Sequence, residues 1–465
     1  MSAPSEEGNT GVYRATLVMV MLNSVSTAMM LTGVNVALPN IAHELSIDAI
    51  VLTWIPMSYL MASAACVLTF GRLADMYGRK RIYLLGTAGV IVTSVLAAFS
   101  DNASQLIAGR LLQGVCAAML YATNVAVISS VVSPKQRGAA IGYTVSAIYL
   151  GLALGPVLAG FLVEYVSWRG TFFLHVPLAL IVLYIGLRHV PVEWRAEDLG
   201  RFDILGSASY GLSVVCLIVG LSFLPSGTGG FLVLIGLLGL VWFYRHELKE
   251  RHPVFDVRLF HTSRVFTVAC FASMIMYTTT FANVVLISLY LQYLKNVAPI
   301  MVGCLLMLQP VIMTIVSPVA GRLSDRIDPR ILALVGMAIT GFSHGILSTL
   351  DSNTSMELIG LCMALNGVGF SLFSSPNANS IMGAIGRKNY GRAGSAIAVM
   401  RVFGQMSSMA LVTLVFTLVI GARKIEPIIY PELTEAIQTC FTIGACLCLF
   451  FVLVTSVWYK NSGVS

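Results

Sequence analysis

Fourteen long apolar stretches, separated by short polar connections, dominate this sequence and restrict what it can fold into. A helix of about 20 mostly apolar residues is long enough to cross the hydrocarbon core of a membrane. Only 11% of the residues are charged, against about 25% in soluble domains. The sequence therefore predicts an all-α polytopic membrane protein with fourteen transmembrane spans. Numbered from the N-terminus, these predicted spans are 15–38, 50–71, 82–99, 105–131, 138–163, 171–187, 204–223, 230–244, 266–292, 299–320, 331–349, 356–382, 394–420 and 436–459.

The distribution of lysine and arginine predicts which span ends face the cytoplasm. With both termini placed inside, 22 of the 28 basic residues fall in cytoplasmic segments and four fall outside. The remaining two, Arg110 and Arg401, lie within spans. Because cytoplasmic loops of membrane proteins carry the excess of positive charge, we expect a multi-pass protein with both termini in the cytoplasm. The net charge of +7 then reflects topology, and we expect no nucleic-acid partner.

A polar segment that follows span 2 recurs in degenerate form about 250 residues later, after span 10. Internal duplication is typical of secondary transporters, whose two halves enclose a substrate site near the membrane midplane. The offset exceeds the roughly 200 residues that six spans with loops require, so spans 7 and 8 form an insert. We predict an N-terminal six-helix half at 1–190, a two-helix insert at 191–262 and a C-terminal six-helix half at 263–465. The repeated segments contain Gly71, Asp75, Gly78, Arg79 and Lys80 in the first copy and Gly321 and Asp325 in the second.

The spacing of glycine and aspartate in the first copy predicts a gate. Gly71 and Gly78 would allow a close helix approach and a tight turn. Asp75, at the membrane edge, would contact a helix N-terminus or an arginine of the other half, and these contacts would break when the transporter switches state. A basic loop that only sets topology explains the arginines, but it explains neither the spacing nor its recurrence.

The segment 71–81 resembles motif A of the major facilitator superfamily, and a second match follows in span 4. Residues 110–114, with Arg110, Gln113 and Gly114, resemble motif B of that superfamily. The resemblance implies that these three residues take part in coupling.

Span 5 resembles motif C, the pattern associated with the antiporters of the superfamily. It carries Gly151, Gly155, Pro156 and Gly160. Glycines four residues apart let a neighbouring helix approach closely, and a proline bends the helix, so this span would seal one side of a cavity. The alternative is that these small residues serve helix packing alone.

Two further segments resemble the fourteen-helix drug/proton antiporter branch of the superfamily. Residues 168–177 are similar to a tryptophan–arginine pattern that precedes span 6, and residues 34–39 close span 1 as in that branch. The resemblance covers nearly the whole chain. It implies a major facilitator fold that exports small amphipathic compounds by alternating access, with proton antiport as the coupling.

One departure from that branch concerns the proton. The branch usually carries an aspartate in span 1 where Met30 stands here, and no predicted span contains a carboxylate at mid-depth. A proton-coupled exporter of cations needs a carboxylate to carry the proton and to pair with the substrate. Three explanations stay open: protonation of His344 in span 11 or His175 at the start of span 6, coupling through Asp75 or Glu164 at the membrane edge, or a different kind of transport. The competing interpretation of His344 is a hydrogen-bonded core residue.

The two arginines inside spans, Arg110 and Arg401, are candidate functional residues. A cation within a span costs at least about 2.5 kcal/mol to insert and usually faces a cavity or a partner. Each could instead extend to the interface or tie helices together through carbonyl groups. Two buried arginines without a buried acid would suit a neutral or anionic substrate.

Polar and aromatic residues of the inner spans predict a broad, mainly apolar substrate cavity. Hydrogen bonding between helices is the alternative for each residue taken singly. The pair Pro376-Asn377 also predicts a broken helix end in span 12. The predicted lining is Met30, Asn35, Tyr59, Asn124, Tyr149, Phe281, Asn283, Gln309, Asn366 and Arg401.

The pattern as a whole indicates a secondary transporter, not an enzyme. We find no P-loop, metal-ligand cluster or nucleophile motif, so we expect no cofactor and a proton gradient as the driving force. The expected partners are a small-molecule substrate and the lipid bilayer, and we expect a monomer in the plasma membrane. The alternatives are an uncoupled or differently coupled transporter of a neutral or anionic metabolite, and a non-transporting membrane sensor or scaffold.

Overall fold

The computed structural model describes residues 6–132, 137–195, 202–324, 326–385 and 390–461. Its elements over these residues are helical, and none is a β-strand. Fourteen of the described helical segments are long and apolar enough to cross a membrane. The predicted all-α architecture with fourteen spans is therefore confirmed.

The first eight spans are long and mostly unbroken. Spans 1 to 5 are Glu6–Glu44, Ala49–Tyr77, Arg79–Ala98, Ala103–Val131 and Arg137–Tyr165. Span 6 has two segments, Gly170–Phe173 and Val176–Arg188. Spans 7 and 8 are Ile204–Ser222 and Gly227–Lys249, and a short helix, Leu259–Thr262, precedes span 9.

The last six spans include two that are interrupted. Span 9 consists of Arg264–Thr280, Asn283–Leu289 and the π-helical turn Tyr290–Leu294, and span 10 of Pro299–Leu306 and Leu308–Leu323. Spans 11 to 13 are Pro329–Leu347, Met356–Gly383 and Tyr390–Val419. Span 14 is Tyr430–Asn461, after the 3₁₀ turn Pro427–Ile429.

Short polar side chains begin several of these helices. Asp48 accepts a hydrogen bond from the Val51 N–H at 2.8 Å, and Asn102 accepts one from the Gln105 N–H at 3.0 Å. Each cap satisfies a backbone donor that has no partner within its own helix. Connections of a few residues can therefore join spans 1 to 2 and 3 to 4 without leaving helix ends unsatisfied.

Spans 7 and 8 pack against each other, and span 7 lies against both halves. The Tyr210 hydroxyl donates to Ala64 O in span 2 at 2.9 Å, and its ring lies 6.0 Å from that of Phe403 in span 13. Span 8 exposes large apolar side chains such as Phe231 and Leu238, which suits contact with lipid. The division into two halves and an insert stays a prediction.

Three local expectations are wrong. Span 1 does not close at Pro39, because its helix continues to Glu44. Residues 71–77 are not a loop but the last turns of span 2, and Gly78 alone separates them from span 3. Span 12 runs unbroken through Pro376 to Gly383. Neighbouring helices satisfy the backbone groups that a proline frees in a membrane helix, so the helix continues.

Candidate transport and coupling site

Hydrogen bonds between the first six and the last six spans concentrate at one end of the molecule. This is the end where span 1 finishes and span 2 begins, and the charge distribution predicts that it faces outside. The spans are therefore joined at this end. The bonds run from Gln292 Nε2 to Val36 O (2.9 Å), Ile300 N to Glu164 Oε2 (3.1 Å), Ala49 N to Arg423 O (2.9 Å) and Thr413 Oγ1 to Thr53 Oγ1 (2.9 Å).

Spans 5 and 10 meet at the same end through reciprocal glycines. A Cβ atom on Gly160 would collide with Pro299 O, and one on Gly303 would collide with Pro156 O. The two backbones therefore touch, and any larger residue would separate them.

The other two glycines of the span 5 motif face a different neighbour. A Cβ on Gly151 would lie 2.5 Å from Val25 O, and one on Gly155 would lie 2.5 Å from Thr32 Oγ1, both in span 1. The motif thus brings span 5 close to span 1 along one stretch and to span 10 along the next. Its predicted close helix approach is present in the structure.

Arg110 lies in the core of the first half with only 1% of its surface exposed. Its Nη1 donates to Gln113 Oε1, and its Nε donates to Ile55 O at 3.3 Å. The guanidinium lies 4.5 Å from the ring centroid of Tyr59, a cation–π contact. Gly114, the third motif residue, lies where a Cβ would collide with Tyr59 O, so spans 2 and 4 touch there.

A chain of hydrogen bonds continues from Gln113 to His175. Gln113 Nε2 donates to Ser94 Oγ at 2.7 Å, and His175 Nε2 lies 2.8 Å from the same oxygen. Ser94 Oγ also donates to Val90 O at 2.6 Å, so the imidazole acts as the donor to the serine and carries its proton on Nε2. His175 Nδ1 is buried without a partner.

The network also reaches toward the other half. The hydroxyl groups of Tyr59 and Tyr121 are 2.8 Å apart, and the Arg401 guanidinium lies 5.8 Å from the Tyr121 ring centroid. The Arg401 charge acts on three phenols, those of Tyr121, Tyr149 and Tyr277. One cation from span 13 therefore lies near a tyrosine of span 4 and within electrostatic range of tyrosines from spans 5 and 9.

An apolar cluster adjoins this group of tyrosines. Tyr149 packs with Met276, Met313 and Phe370, and the ring of Tyr277 makes an edge contact with Phe370 at 5.3 Å. Aromatic rings and methionines on facing helices form a surface that accommodates flat apolar compounds. The site thus combines one guanidinium with aromatic walls.

His344 occupies a second polar site, beside the interruption of span 9. Its Nδ1 lies 2.8 Å from Thr340 O, and its Nε2 lies 3.1 Å from Thr279 O and 3.0 Å from Asn283 Oδ1. At the interruption the Ala282 N–H leaves the helical pattern and donates to Ser408 Oγ of span 13 at 3.0 Å. Both ring nitrogens therefore face acceptors at a broken helix.

Asn283 has a second feature that matters for this site. Its Nδ2 is buried without a hydrogen-bond partner. A small cavity lined by Thr279, Asn283 and Ser408 lies beside it. A rotation of the amide would exchange Oδ1 for Nδ2 opposite the imidazole, so the pair fits either a protonated or a neutral histidine.

The rest of the predicted cavity lining does not gather in one place. Asn35 donates to Leu31 O (3.4 Å) within its own helix, and Asn124 donates to Ser24 Oγ (3.2 Å) in span 1. Asn366 donates to Ser343 Oγ at 3.0 Å. The amides of Asn124 and Asn366 tie helices together, while that of Asn35 binds its own helix. Met30 is buried, while Phe281 and Gln309 are partly buried.

The predicted gate is a helix junction with an unexpected partner. Asp75 binds Arg79 of the same segment at 2.8 Å, and Arg79 also donates to Ser130 Oγ in span 4 at 2.9 Å. Gly78 has a φ of +123°, a conformation that favours glycine. The carboxylate that meets the N-terminus of span 3 is Glu193, which accepts from the Lys80 N–H at 2.8 Å.

In the second copy of the gate, Gly321 lies within span 10. Asp325 falls outside the described residues. Beside it, Asp328 caps span 11 and pairs with Arg330 at 2.8 Å. Partial burial raises the pKa of the Asp328 carboxyl, but the hydrogen bonds from Arg330 outweigh it and hold the pKa below its ordinary value.

Sequence reasoning missed Ser94, Tyr121 and Glu193. Ser94 and Tyr121 stand in long apolar stretches, where a single serine or tyrosine is unremarkable. Glu193 lies more than a hundred residues from the segment it contacts. One signal could have indicated Glu193: the backbone N–H groups of a helix that begins after Gly78 need a hydrogen-bond acceptor.

The chain was compared with known proteins. It is 29% identical to the riboflavin transporter RibZ of Clostridioides difficile, over 79% of this chain and 80% of that protein. It is 27% identical to the tetracenomycin C resistance and export protein of Streptomyces glaucescens, over 77% and 67% of the two chains. A crystal structure of a POT family transporter with 5-aminolevulinic acid superposes with a TM-score of 0.72 at 12% identity, over 97% and 96% of the chains. That likeness concerns the fold.

The family model named Major Facilitator Superfamily matches residues 20–282 and 269–464, which together cover most of the chain. The matched family consists of membrane transporters, so this protein is a multi-pass transporter of a small molecule and not an enzyme. The chain belongs to the Major Facilitator Superfamily.

Proposed function

We propose that this transporter exports small amphipathic compounds by alternating access, as the resemblance to the fourteen-helix drug/proton antiporter branch implies. The observation that carries the proposal is the contact between spans 5 and 10, where Gly160 and Gly303 leave no room for a side chain. A seal of this kind closes one side of the central site and has to part before substrate can leave. The named export function of the Streptomyces relative supports the direction.

Protons entering the cell drive the export, and His344 carries them. Its ring nitrogens face Thr340 O, Thr279 O and Asn283 Oδ1, which are acceptors suited to an imidazolium ion. When the proton leaves, the Asn283 amide rotates and donates from its unpartnered Nδ2. The site takes over the task that a span 1 carboxylate performs in the branch.

The proton site and the substrate site share two helices. Span 9 carries both Asn283 and Tyr277, and span 13 carries both Ser408, which holds the break in span 9, and Arg401. A change of hydrogen bonding at the break therefore shifts residues that line the aromatic site. This is the physical link that antiport requires, since protonation has to alter the balance between the two states.

A second candidate is export of a neutral or anionic aromatic metabolite, and Arg401 favours it. A guanidinium among Tyr121, Tyr149 and Tyr277 attracts an anionic group or the face of an aromatic ring and repels a cation. The named substrate of the Clostridioides relative, riboflavin, is a flat aromatic compound of this kind. The protein would act as a monomer in the plasma membrane, with both termini in the cytoplasm.

The test is export from cells of cationic, neutral and anionic aromatic compounds by the wild type and by two alanine variants. Gly160→Ala adds a methyl group against Pro299 O, so we expect export to fall about tenfold or more. Gly142→Ala, in the same span, meets no atom within 4 Å and serves as the matched control. The proposal fails if no compound in the panel is exported, or if the two variants export equally well.

A further inference from the structure

Three side chains with metal-binding groups meet at the ends of spans 7 and 8, away from the transport site. Asp203 caps span 7 by accepting from the Gly206 N–H at 2.8 Å, and its other oxygen lies 3.0 Å from His246 Nε2. Glu250 follows His246 by four residues, one helical turn. One ligand atom from each of Asp203, His246 and Glu250 lies within 4.8 Å of the others.

A neighbouring residue, Glu247, has an unsatisfied oxygen near Asp203 of this group. Its side chain is fully buried, and its Oε2 accepts from the Phe255 N–H at 3.1 Å, but its Oε1 has no hydrogen-bond partner. A Cβ on Gly206 would lie 2.5 Å from that Oε1 and would also collide with Asp203 Oδ2. The free oxygen therefore faces the carboxylate of Asp203.

The Arg258 guanidinium lies near this group and donates to the backbone oxygens of Leu248 and Glu250. In the described parts of the chain, no lysine or arginine forms a salt bridge with Asp203, Glu247 or Glu250, and His246 is the one basic partner. A buried carboxylate without a partner is costly, because the interior solvates charge poorly. A bound cation would stabilise this group of carboxylates.

We propose that Asp203, His246 and Glu250, with Glu247 beside them, bind a divalent transition-metal ion of the Zn²⁺ or Mn²⁺ class. Carboxylate oxygens combined with one imidazole nitrogen suit these ions, which bind such atoms at about 2.0–2.2 Å. The imidazole is already oriented, because His246 stacks on Trp242 with the rings 5.0 Å apart and within 8° of parallel.

The ion gives the two-helix insert a defined task. It ties the first turn of span 7 to the last turn of span 8, and Glu247 extends the tie to the segment at Phe255 that leads to span 9. Metal binding thus stiffens the link between the insert and the last six spans. No sequence pattern marks this site, because 43 residues separate Asp203 from His246.

The test uses the full-length protein in detergent, freed of any affinity tag and treated with chelator. Calorimetry with ZnCl₂ should give about one bound ion per chain, and Zn²⁺ should raise the unfolding temperature. Glu250→Gln is the first variant, because its amide oxygen still accepts the Arg251 and His252 N–H bonds that Glu250 Oε1 accepts now. We expect it and His246→Gln each to weaken Zn²⁺ binding about tenfold or more.

His261→Gln is the matched control, since His261 pairs with Tyr244 outside the group. It should bind Zn²⁺ as the wild type does. The proposal is overturned if the wild type binds no stoichiometric Zn²⁺ or Mn²⁺, or if Glu250→Gln and His246→Gln both bind Zn²⁺ with unchanged affinity. Binding of Mg²⁺ alone would also overturn it, because a transition metal is then not the ligand.

Discussion

The two buried histidines of this transporter have opposite surroundings. His175, in the first half, is joined through Ser94 and Gln113 to the fixed cation of Arg110. His344, in the second half, is surrounded by oxygen acceptors and an asparagine at a broken helix. The difference teaches that burial alone does not select a proton site. A neighbouring cation opposes protonation and neighbouring acceptors favour it.

In the proposed mechanism, the first six and the last six spans have different tasks. The first half holds Arg110 rigidly and contributes the Tyr59–Tyr121 pair to the aromatic site. The last six spans contain the interrupted span 9, whose hydrogen bonds change with the protonation of His344 in the proposed mechanism. Variants that alter one histidine at a time separate these tasks.

The largest expected effect is that of His344→Gln. Glutamine retains one hydrogen bond but cannot take up a proton, so export against a concentration gradient should fall about 100-fold or more. Exchange of substrate down its gradient should persist, because the substrate site is unchanged. Both activities can be measured in the same proteoliposomes, and loss of both together would argue for a structural role.

The next largest effect is that of Arg110→Met, which leaves Gln113 Oε1 and Ile55 O without their donor. Hydrogen bonds to a charged group are worth about 1.5–3 kcal/mol, so we expect transport per folded molecule to fall about tenfold. The folded fraction should fall as well, as fluorescence-detected gel filtration would report. If only abundance fell, Arg110 would be a structural tie and nothing more.

A smaller effect is expected for Asp75→Asn at the junction of spans 2 and 3. The Asp75–Arg79 pair is partly exposed, and such pairs contribute up to about 1 kcal/mol, so transport should change no more than about fivefold. The substitution would act on the balance between states, and therefore on the rate of transport, while substrate affinity stays the same. A complete loss of transport would show that the pair is a principal gate.

The smallest effect on transport is expected for His175→Asn. Asparagine can still donate a hydrogen bond, so transport should stay within about twofold of the wild type, with an unchanged pH profile. The unfolding temperature should fall, because the bond to Ser94 Oγ is weakened. A shifted pH profile would move the proton site to the first half.

The large-scale architecture was accessible from the sequence because it follows from apolar length and charge bias. The fourteen spans and the close approach at Gly151, Gly155 and Gly160 depend on residues whose physics is local. The continuation of the helices through Pro39 and Pro376 could not be predicted from the sequence. Neighbouring spans supply hydrogen-bond partners to the backbone groups that proline leaves unpaired. A sequence read alone cannot identify that compensation.

The candidate site could be predicted only in part from the sequence. His344 and Arg401 could be singled out because polar residues in apolar stretches are conspicuous. The partners of His344 could not be predicted, because they lie at the interruption of span 9. That interruption, at 281–282, has no proline or glycine to mark it. The amides of Asn35, Asn124 and Asn366 resembled cavity residues in the sequence, yet Asn124 and Asn366 tie helices together and Asn35 binds its own helix.

The most direct test of His344 as the proton carrier is proton movement in everted membrane vesicles that are energised by respiration and supplied with a proven substrate. Addition of substrate should dequench a pH-sensitive dye in vesicles that contain the wild type or His175→Asn, and should leave the signal flat with His344→Gln. If His344→Gln dequenched the dye as much as the wild type does, His344 would not be the proton carrier, because another residue would then carry the proton.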